Sequence, residues 1–414
     1  MSANQMGLKR LALVECHDST CHEMELPLVL KSASGSWIWD ADGHRYVDLC
    51  AGFGVMALGH NPSQLRELLS GYLADGAPIM HGMGDVYPSE SKIALLETIR
   101  SILPPHLVRG SLALTGSQAV EIAIKSAILA RQKMGFISFE GGYHGVDLGI
   151  LPLTSRPDFS TPFSGRPAAI DVRRLPFGKA DRAHFVAAVQ DLELSGAGFC
   201  GVLVEPVQGR SGAIVPPEGW LASIVEWTHE YGGLAIFDEV FCGLGRCGRM
   251  TFAEETPADL VCLGKALGGG FPVSACFGTE SVMSSWPVSR GEAIHTGTFF
   301  GHPLSCDIAT QVLRTIVSEA LPDRALRVGQ EVRLRIATMF ADSPQVAAIT
   351  GLGMMIAIHF HEANAGARLM IEARKKGIIA LASGNEGQAL SMTPAFTIDK
   401  EMWLTAAAQI RALL

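Results

Sequence analysis

The chain contains the stretch Leu234-Ala-Ile-Phe-Asp-Glu-Val240, in which an apolar run ends in a carboxylate. Such a run is typical of a buried strand, and it would deliver Asp238 to a pocket. A second apolar run, in Ala258-Asp-Leu-Val-Cys-Leu-Gly-Lys-Ala-Leu-Gly-Gly-Gly270, delivers Lys265. A buried acid and a buried lysine are costly to desolvate unless pairing or chemistry uses them. Pyridoxal phosphate (PLP) requires such a pair, a lysine to form a Schiff base and an acid to keep the pyridine nitrogen protonated.

The composition indicates a globular protein with a sizeable core. The chain has 414 residues, of which 48% are hydrophobic and 18% charged. These values exclude a disordered chain and fit two or three domains, or one large domain with a smaller satellite. The net charge of −8 argues against a nucleic-acid-binding protein.

The sequence also bears on where the protein works. No apolar run approaches the roughly 20 residues that span a bilayer, and residues 1–10 lack the apolar segment of a signal peptide. Nine cysteines are scattered without the spacing of a disulfide framework. We therefore expect a cytoplasmic protein with reduced thiols and no membrane partner.

The order of patterns predicts a division of the chain. Residues 36–49 form a β-hairpin pattern with Asp42-Gly43 at its turn. Further on, apolar runs and helical patterns alternate, as in α/β folds with parallel strands. The predicted strands are 201–204, 234–237 and 260–263, the predicted helices are 118–132, 180–192 and 221–231, and a long helical pattern at 306–336 leads into a strand region at 347–360. The predicted divisions are an N-terminal segment, 1–60, that is part of a small domain, a large cofactor-binding domain, 61–310, and a C-terminal small domain, 311–414.

Four further segments could contribute to a ligand site. Thr115-Gly-Ser-Gln-Ala-Val-Glu-Ile-Ala-Ile-Lys-Ser126 opens a helix whose free N–H groups and dipole suit a phosphate, the alternative being an ordinary serine cap. Glu140-Gly-Gly-Tyr-His-Gly145 sets an aromatic ring and an imidazole at a strand end, or forms a turn with a packed tyrosine. Val204-Glu-Pro-Val-Gln-Gly209 ends an apolar run with an acid that could also cap a neighbouring group. His295-Thr-Gly-Thr-Phe-Phe-Gly-His-Pro303 offers hydroxyls for a phosphate, or is simply a loop.

In order and spacing, these segments resemble the class III aminotransferases, the ω-aminotransferase-like group of fold-type I PLP enzymes. The resemblance runs from Trp37 to about Pro394. It is most specific in Asp-Glu-Val-x-x-Gly-x-Gly-Arg-x-Gly (238–248) and in Pro-x-Asp-Leu…Gly-Lys-Ala-Leu-Gly-Gly-Gly (257–270). It implies an α/β fold, with a large domain built on a mainly parallel seven-stranded sheet and a small α+β domain from both chain ends.

The resemblance also implies the chemistry. Lys265 would be the Schiff-base lysine, which shuttles a proton once the substrate amine displaces it. Asp238 would keep the pyridine nitrogen protonated, so that the cofactor ring can accept electrons. Thr298 would bind the phosphate held by the partner subunit, which implies a homodimer with shared sites.

Five further residues would hold the cofactor if the resemblance is followed position by position. Gly116 and Ser117 would bind the phosphate at the helix N-terminus. Tyr143 would stack on one face of the ring, and Val240 would pack on the other. Glu205 would be a second acid close to the ring.

The chain departs from the family at the substrate side. Many members have a glutamate in place of Arg210, paired with an arginine near the C-terminus that grips an α-carboxylate. Here that segment is Leu390-Ser-Met-Thr-Pro-Ala-Phe396, which places Ser391 or Leu390 at the arginine position. We hypothesise that Arg210 takes over carboxylate recognition, the alternative being an exposed arginine or a structural ion pair.

Three aromatic residues bear on the substrate pocket. Phe241 replaces a glutamine that in many members touches the phenolic oxygen of the cofactor, which suggests a more apolar pocket. Phe53 falls where the family has a pocket aromatic, and Tyr87 is a second candidate. Both Phe53 and Tyr87 could instead be core residues.

Two other motifs do not favour a function. Gly243-Leu-Gly-Arg-Cys-Gly248 matches a dinucleotide fingerprint, but residues 239–242 separate it from the preceding strand. Cys16, His17, Cys21 and His22 lack the spacing of a zinc site, so we expect no metal.

The sequence thus predicts a PLP-dependent aminotransferase with ping-pong chemistry. It would move an amino group from an amine, ω-amino compound or amino acid to an oxo acid. A PLP-dependent aminomutase, racemase or epimerase is the alternative, because the same residues serve those reactions. A third hypothesis is a non-catalytic protein of the same fold, against which the presence of both Lys265 and Asp238 argues.

Overall fold

The computed structural model describes residues 1–16, 19–20, 27–74, 76, 78–165 and 168–414. Three members of the Cys/His cluster at the N-terminus, His17, Cys21 and His22, lie outside the described residues. Among the residues described, no helix is both long and apolar enough to cross a membrane.

The described residues form fifteen strands. In chain order these are β1 (Leu30–Ser34), β2 (Trp37–Asp40), β3 (Arg45–Asp48), β4 (Arg109–Ala113), β5 (Gly135–Phe139), β6 (Asp171–Leu175), β7 (Phe199–Val204), β8 (Leu234–Asp238), β9 (Leu260–Leu263), β10 (Ser274–Gly278), β11 (Val346–Leu352), β12 (Met355–Phe360), β13 (Ile378–Ile379), β14 (Leu381–Ser383) and β15 (Ala389–Met392).

The same residues form thirteen α-helices. They are α1 (Ala3–Ala12), α2 (Ala51–Gly54), α3 (Ser63–Gly71), α4 (Glu90–Ile102), α5 (Gly116–Arg131), α6 (Pro157–Ser160), α7 (Arg182–Leu194), α8 (Trp220–Glu230), α9 (Glu280–Met283), α10 (Pro303–Ser318), α11 (Leu321–Phe340), α12 (Ala365–Lys375) and α13 (Lys400–Arg411). Short 3₁₀ turns lie at Leu151–Leu153, Thr161–Phe163, Phe252–Glu254 and Lys265–Gly268.

The central sheet has seven strands in the order β4-β10-β9-β8-β7-β5-β6. Only β10 runs antiparallel to its neighbours, and the other pairs are parallel. The predicted mainly parallel seven-stranded sheet of an α/β fold is therefore confirmed. The predicted strand runs fall within β7, β8 and β9, and the predicted helices overlap α5, α7 and α8.

Strand β8 shows why the central strands read as unbroken apolar runs. Ala235 and Phe237 face one hydrophobic cluster, whereas Leu234 and Ile236 face a second cluster on the opposite side of the sheet. Because successive side chains of a strand point to opposite faces, a strand covered on both sides needs apolar residues throughout. The first exception is Asp238, where the strand ends.

Two smaller sheets use both ends of the chain. In the first, of order β1-β2-β3-β13, the predicted hairpin at 36–49 is present, with Trp37 opposite Val47. Strand β13, from the C-terminal part, pairs in parallel with β3. The second sheet is antiparallel, in the order β11-β12-β15-β14. The domain boundaries at residues 60 and 310 stay a prediction.

The long helical pattern at 306–336 is not one helix. The chain forms α10 and α11 instead, and the break lies at Ala320, whose φ of +48° is in the left-handed region. Pro322 then occupies the first turn of α11. Proline suits that position because its missing N–H has no helical partner there.

Candidate active site

A cavity of about 550 Å³ lies at the carboxyl edge of the parallel strands. Asp238 ends β8, Glu205 directly follows β7, and Lys265 comes two residues after β9. Carboxyl ends of parallel strands meet at one edge of a sheet, which is where α/β folds bind ligands. The lining residues are Val55, Leu114, Thr115, Gly116, Ser117, Tyr143, His144, Gly145, Val146, Asp147, Glu205, Arg210, Asp238, Val240, Phe241, Lys265, Gly270, Phe271, Pro272 and Val273.

The buried Asp238 carboxylate is held from two sides. Its Oδ2 lies 2.7 Å from His144 Nδ1, and its Oδ1 accepts a hydrogen bond from the backbone N–H of Val240 (3.1 Å). His144 is itself buried, and its backbone N–H donates to Thr154 Oγ1 (3.0 Å). The acid is thereby fixed in orientation at the floor of the cavity.

Lys265 lines the cavity beside the Phe241 ring. In the described part of the chain, its side chain makes no hydrogen bond or ion pair, and its Nζ lies 4.3 Å from the centroid of the Phe241 ring. Burial lowers the pKa of the Lys265 amine from the ordinary value of 10.5. Its backbone φ of +41° falls in the left-handed region, which is strained for a residue other than glycine. An unpartnered amine whose pKa is lowered, on a strained backbone, is suited to a nucleophile.

Glu205 is a second buried acid beside the first. Its Oε1 accepts from the backbone N–H of Tyr143 (2.9 Å) and its Oε2 from that of Gly209 (3.2 Å). Burial raises the pKa of Glu205 to about 7, and the nearby Asp238 adds to the rise. Glu205 therefore ties the segment carrying Tyr143 to the segment that follows β7.

The N-terminus of α5 opens onto the cavity. Thr115, not a serine, is the cap. Its Oγ1 accepts from the N–H of Gln118 (3.2 Å), and the Gln118 side chain accepts in return from the N–H of Thr115 (3.4 Å). The alternative of an ordinary serine cap is therefore wrong, because Ser117 lies inside the first turn and lines the cavity with Gly116. Unpaired N–H groups at such an end bind anions well.

The structure brings most of the predicted cofactor residues together. Those that line the cavity are Gly116, Ser117, Tyr143, Glu205, Asp238, Val240 and Lys265. Thr298 is exposed and does not line the cavity of its own chain. Its role at a partner's site stays a prediction.

The predicted substrate residues divide into two groups. Arg210 and Phe241 line the cavity. Phe53 is half exposed and not part of the wall, although its ring centroid lies 6.0 Å from the Arg210 guanidinium carbon. Tyr87 is 65% exposed and lies outside the cavity. Neither Phe53 nor Tyr87 is a buried core residue, so that alternative is wrong for both.

His144 is the main site residue that the sequence-based prediction did not single out. Its only sequence signal was its place beside Tyr143 between glycines at the end of a strand. The segment Gly270-Phe-Pro-Val273 also lines the cavity and was not predicted.

The donor set fits PLP. A buried, oriented carboxylate, an unpartnered amine and the free N-terminus of a 16-residue helix meet in one cavity. They match a pyridine nitrogen, an aldehyde carbon and a phosphate. A Cβ on Gly116 would lie 2.7 Å from Val240 Cγ1, so the glycine leaves room for the Val240 side chain in the cavity wall.

Comparison with known proteins gives consistent matches over most of the chain. A family model described as aminotransferase class-III matches residues 19–414. A putrescine aminotransferase from Pectobacterium atrosepticum is 30% identical over 369 residues, covering 87% of this chain and 77% of that protein. An acetylornithine aminotransferase from Methanopyrus kandleri is 34% identical over 338 residues, covering 80% of each.

Solved structures agree in fold. An (S)-enantioselective ω-transaminase from Thermomicrobium roseum superposes with a TM-score of 0.86 at 25% identity, covering 100% of this chain and 99% of that one. A transaminase from the marine bacterium Virgibacillus gives a TM-score of 0.89 at 21% identity, covering 98% of each.

Proposed function

This chain belongs to the aminotransferase class-III family, whose members are PLP-dependent, and we propose that the cavity at Asp238 and Lys265 is its active site. The observation that supports this most is that a buried carboxylate, an unpartnered lysine and a helix N-terminus line one cavity. The enzyme transfers an amino group to an oxo acid by the ping-pong mechanism of the family.

The cofactor would be held at three points. Gly116 and Ser117 offer N–H groups at the start of α5 for the phosphate. Tyr143 and Val240 provide surfaces for the two faces of the ring. When bound, PLP supplies an electron sink for the carbanion that transamination creates.

Asp238 and His144 would act as a unit on the pyridine nitrogen. Asp238 supplies the negative charge that holds a proton on that nitrogen. His144 Nδ1, 2.7 Å from Asp238 Oδ2, fixes the orientation of the carboxylate and is a positioning residue. Because both side chains are buried, water does not compete for this contact.

Lys265 would serve as nucleophile and proton carrier. Burial lowers the pKa of its amine, so more of it is neutral near pH 7 than for an exposed lysine. The Phe241 ring, 4.3 Å from Nζ, offers a face that also accommodates the protonated amine. Burial favours the neutral amine and the Phe241 ring accommodates the charged one, so Lys265 can alternate between the two forms during proton transfer.

The substrate side favours an amine or ω-amino compound as donor. The two relatives described above are named for putrescine and acetylornithine. The two candidates for the position of the missing C-terminal arginine, Ser391 and Leu390, are both buried on β15, and Ser391 Oγ lies 2.6 Å from Ser383 Oγ. Neither residue lines the cavity or offers a charge for an α-carboxylate there.

We also propose a homodimer in the cytoplasm. Thr298 is exposed and away from the cavity of its own chain, which agrees with a role at the site of a second copy. The eight cysteines in the described residues are free, as in a reducing compartment.

A half-reaction screen tests the proposal. Purified protein loaded with PLP is mixed with a panel of amines, and the absorbance of the protein-bound cofactor is followed. At least one amine should convert the cofactor to its pyridoxamine form, and an oxo acid should restore it and be consumed in equal amount. Lys265→Ala should abolish turnover while PLP still binds. If none of the amines converts the cofactor, the proposal is wrong. Turnover without oxo-acid consumption would favour a racemase or aminomutase.

A further inference from the structure

Arg210 is a cation in the active-site cavity that lacks a counter-ion. Its Nε is buried without a hydrogen-bond partner, and within the described ranges its side chain makes no ion pair. The nearby Arg156 differs, because its guanidinium binds both oxygens of Asp158 (3.0 and 2.5 Å). A desolvated guanidinium is costly unless an anion reaches it. The Asp158 and Glu205 carboxylates act on the charge of Arg210 through space, but no described side chain bonds to its guanidinium, which leaves it able to bind an anion.

The surroundings of Arg210 hold it in place without neutralising it. Its guanidinium carbon lies 5.5 Å from the centroid of the Tyr143 ring and 6.0 Å from that of Phe53. Its backbone carbonyl accepts from the N–H of Gly384 (2.9 Å), and the preceding Gly209 N–H is bound by Glu205. The main chain is thus fixed on both sides, and aromatic faces leave the donor edge of the guanidinium free.

Arg210 also lies within electrostatic reach of the reacting amine. Both side chains line the same cavity, and the charge of Arg210 adds to burial in lowering the pKa of Lys265. Burial and the charge of Arg156 lower the pKa of Arg210 in turn. An anion bound at Arg210 would sit beside Lys265 and offset the positive charge there.

We propose that Arg210 binds the carboxylate of the oxo-acid acceptor. This inference rests on the proposed function and adds the residue that recognises one of the two substrates. The acceptor carries a carboxylate next to its reacting carbonyl, and the planar guanidinium binds a carboxylate through two parallel hydrogen bonds. A donor amine without a carboxylate has no use for this contact.

The test compares the two half-reactions in Arg210→Gln, Arg210→Lys and the matched control Arg156→Gln. A carboxylate-free amine from the screen probes the first half-reaction, and pyruvate probes the second. Lactate, a non-reacting analogue of pyruvate, is titrated by calorimetry into the pyridoxamine form, which is the form that the acceptor meets, and this measures binding without turnover.

Arg210→Gln should weaken lactate binding and raise the KM for pyruvate about 10- to 150-fold, the range of a lost charge-assisted hydrogen bond. The amine half-reaction should lose less than the pyruvate half-reaction, because a carboxylate-free amine makes no contact with Arg210. Arg210→Lys should fall between, because it keeps the charge and loses the planar fork. Arg156→Gln should bind lactate nearly as the wild type, since its charge is already paired.

Two results would overturn the inference: unchanged lactate binding in Arg210→Gln, or equal losses in Arg156→Gln. If the wild type reacts with no amine at all, the proposed function itself fails. If it reacts while Arg210→Gln binds lactate normally, only this inference fails.

Discussion

Gly116→Ala should weaken cofactor binding through a contact made by a single methyl group. The φ of Gly116 is not in the left-handed region, so alanine fits the backbone and suits the first turn of a helix. The new Cβ, however, would lie 2.7 Å from Val240 Cγ1 and 3.2 Å from Val240 Cγ2. Val240 is the side chain that we place against the cofactor ring.

The size of the effect follows from these distances. Carbon atoms pack best at about 3.5–4.0 Å, so Val240 must move by roughly 1 Å. Val240 lines the cavity, so a displaced Val240 narrows the space for the cofactor ring. If PLP must push the side chain back against the new methyl group, binding takes on the cost of overpacking, about 1–3 kcal/mol, which raises the dissociation constant of PLP about 5- to 140-fold.

Titration of the apoenzyme with PLP, followed by the quenching of tryptophan fluorescence, measures the constant. In a Val240→Ala background the same Gly116→Ala change should cost far less, because the contacted methyl groups are gone. Gly71→Ala is the matched control, since nothing lies within 4 Å of its new Cβ. Wild-type affinity in Gly116→Ala, or an equal loss in both backgrounds, would refute the reasoning.

Three further predictions concern buried ionisable groups. The rate at which the apoenzyme forms its covalent link to PLP should rise with pH and level off below pH 10.5, because burial lowers the pKa of Lys265. Stopped-flow absorbance over a pH series measures this rate. A plateau reached only above pH 10.5 would contradict the prediction. His144→Phe should lower kcat about 10- to 150-fold, since the contact that orients the Asp238 carboxylate is lost, whereas wild-type kcat would remove His144 from the mechanism. Burial raises the pKa of Glu239 to about 8, against 4.5 in the unfolded chain. The contribution of Glu239 to the free energy of unfolding is therefore fully present below about pH 4.5 and is lost as the pH rises through 8. The melting temperature of the wild type should therefore fall relative to Glu239→Gln across that window, and parallel curves would show that Glu239 is ionised in the fold.

The sequence predicted the central strands and the Asp238–Lys265 site because their signals are local. Apolar runs covered on both faces have no polar interruption until Asp238, where the strand reaches the cavity. The positions of Asp238 and Lys265 at one sheet edge follow from parallel pairing of β8 and β9, which are adjacent in both sequence and sheet. Local pattern and neighbour pairing were enough here.

The contact between His144 and Asp238 could not be predicted in this way. His144 follows β5 and Asp238 ends β8, and β7 lies between these two strands in the sheet. Their contact depends on the strand order, which no local pattern reveals. Glu205, at the end of the intervening β7, bridges the same gap by accepting the N–H of Tyr143.

The break between α10 and α11 had a signal that the helical periodicity obscured. Ala320 adopts a left-handed φ, which is unfavourable for alanine and cannot be recognised from the spacing of hydrophobic residues. Pro322 is the visible mark, because proline in a helical pattern often stands in the first turn of a new helix.

Borohydride reduction shows whether Lys265 is the residue that binds PLP covalently. Reduction of the PLP-loaded protein fixes the cofactor to the lysine that carries it, and digestion with mass spectrometry identifies that lysine. We expect one pyridoxyl group per chain, on the peptide that contains Lys265, and none in Lys265→Ala. A label on another lysine, or a label that persists in Lys265→Ala, would contradict it.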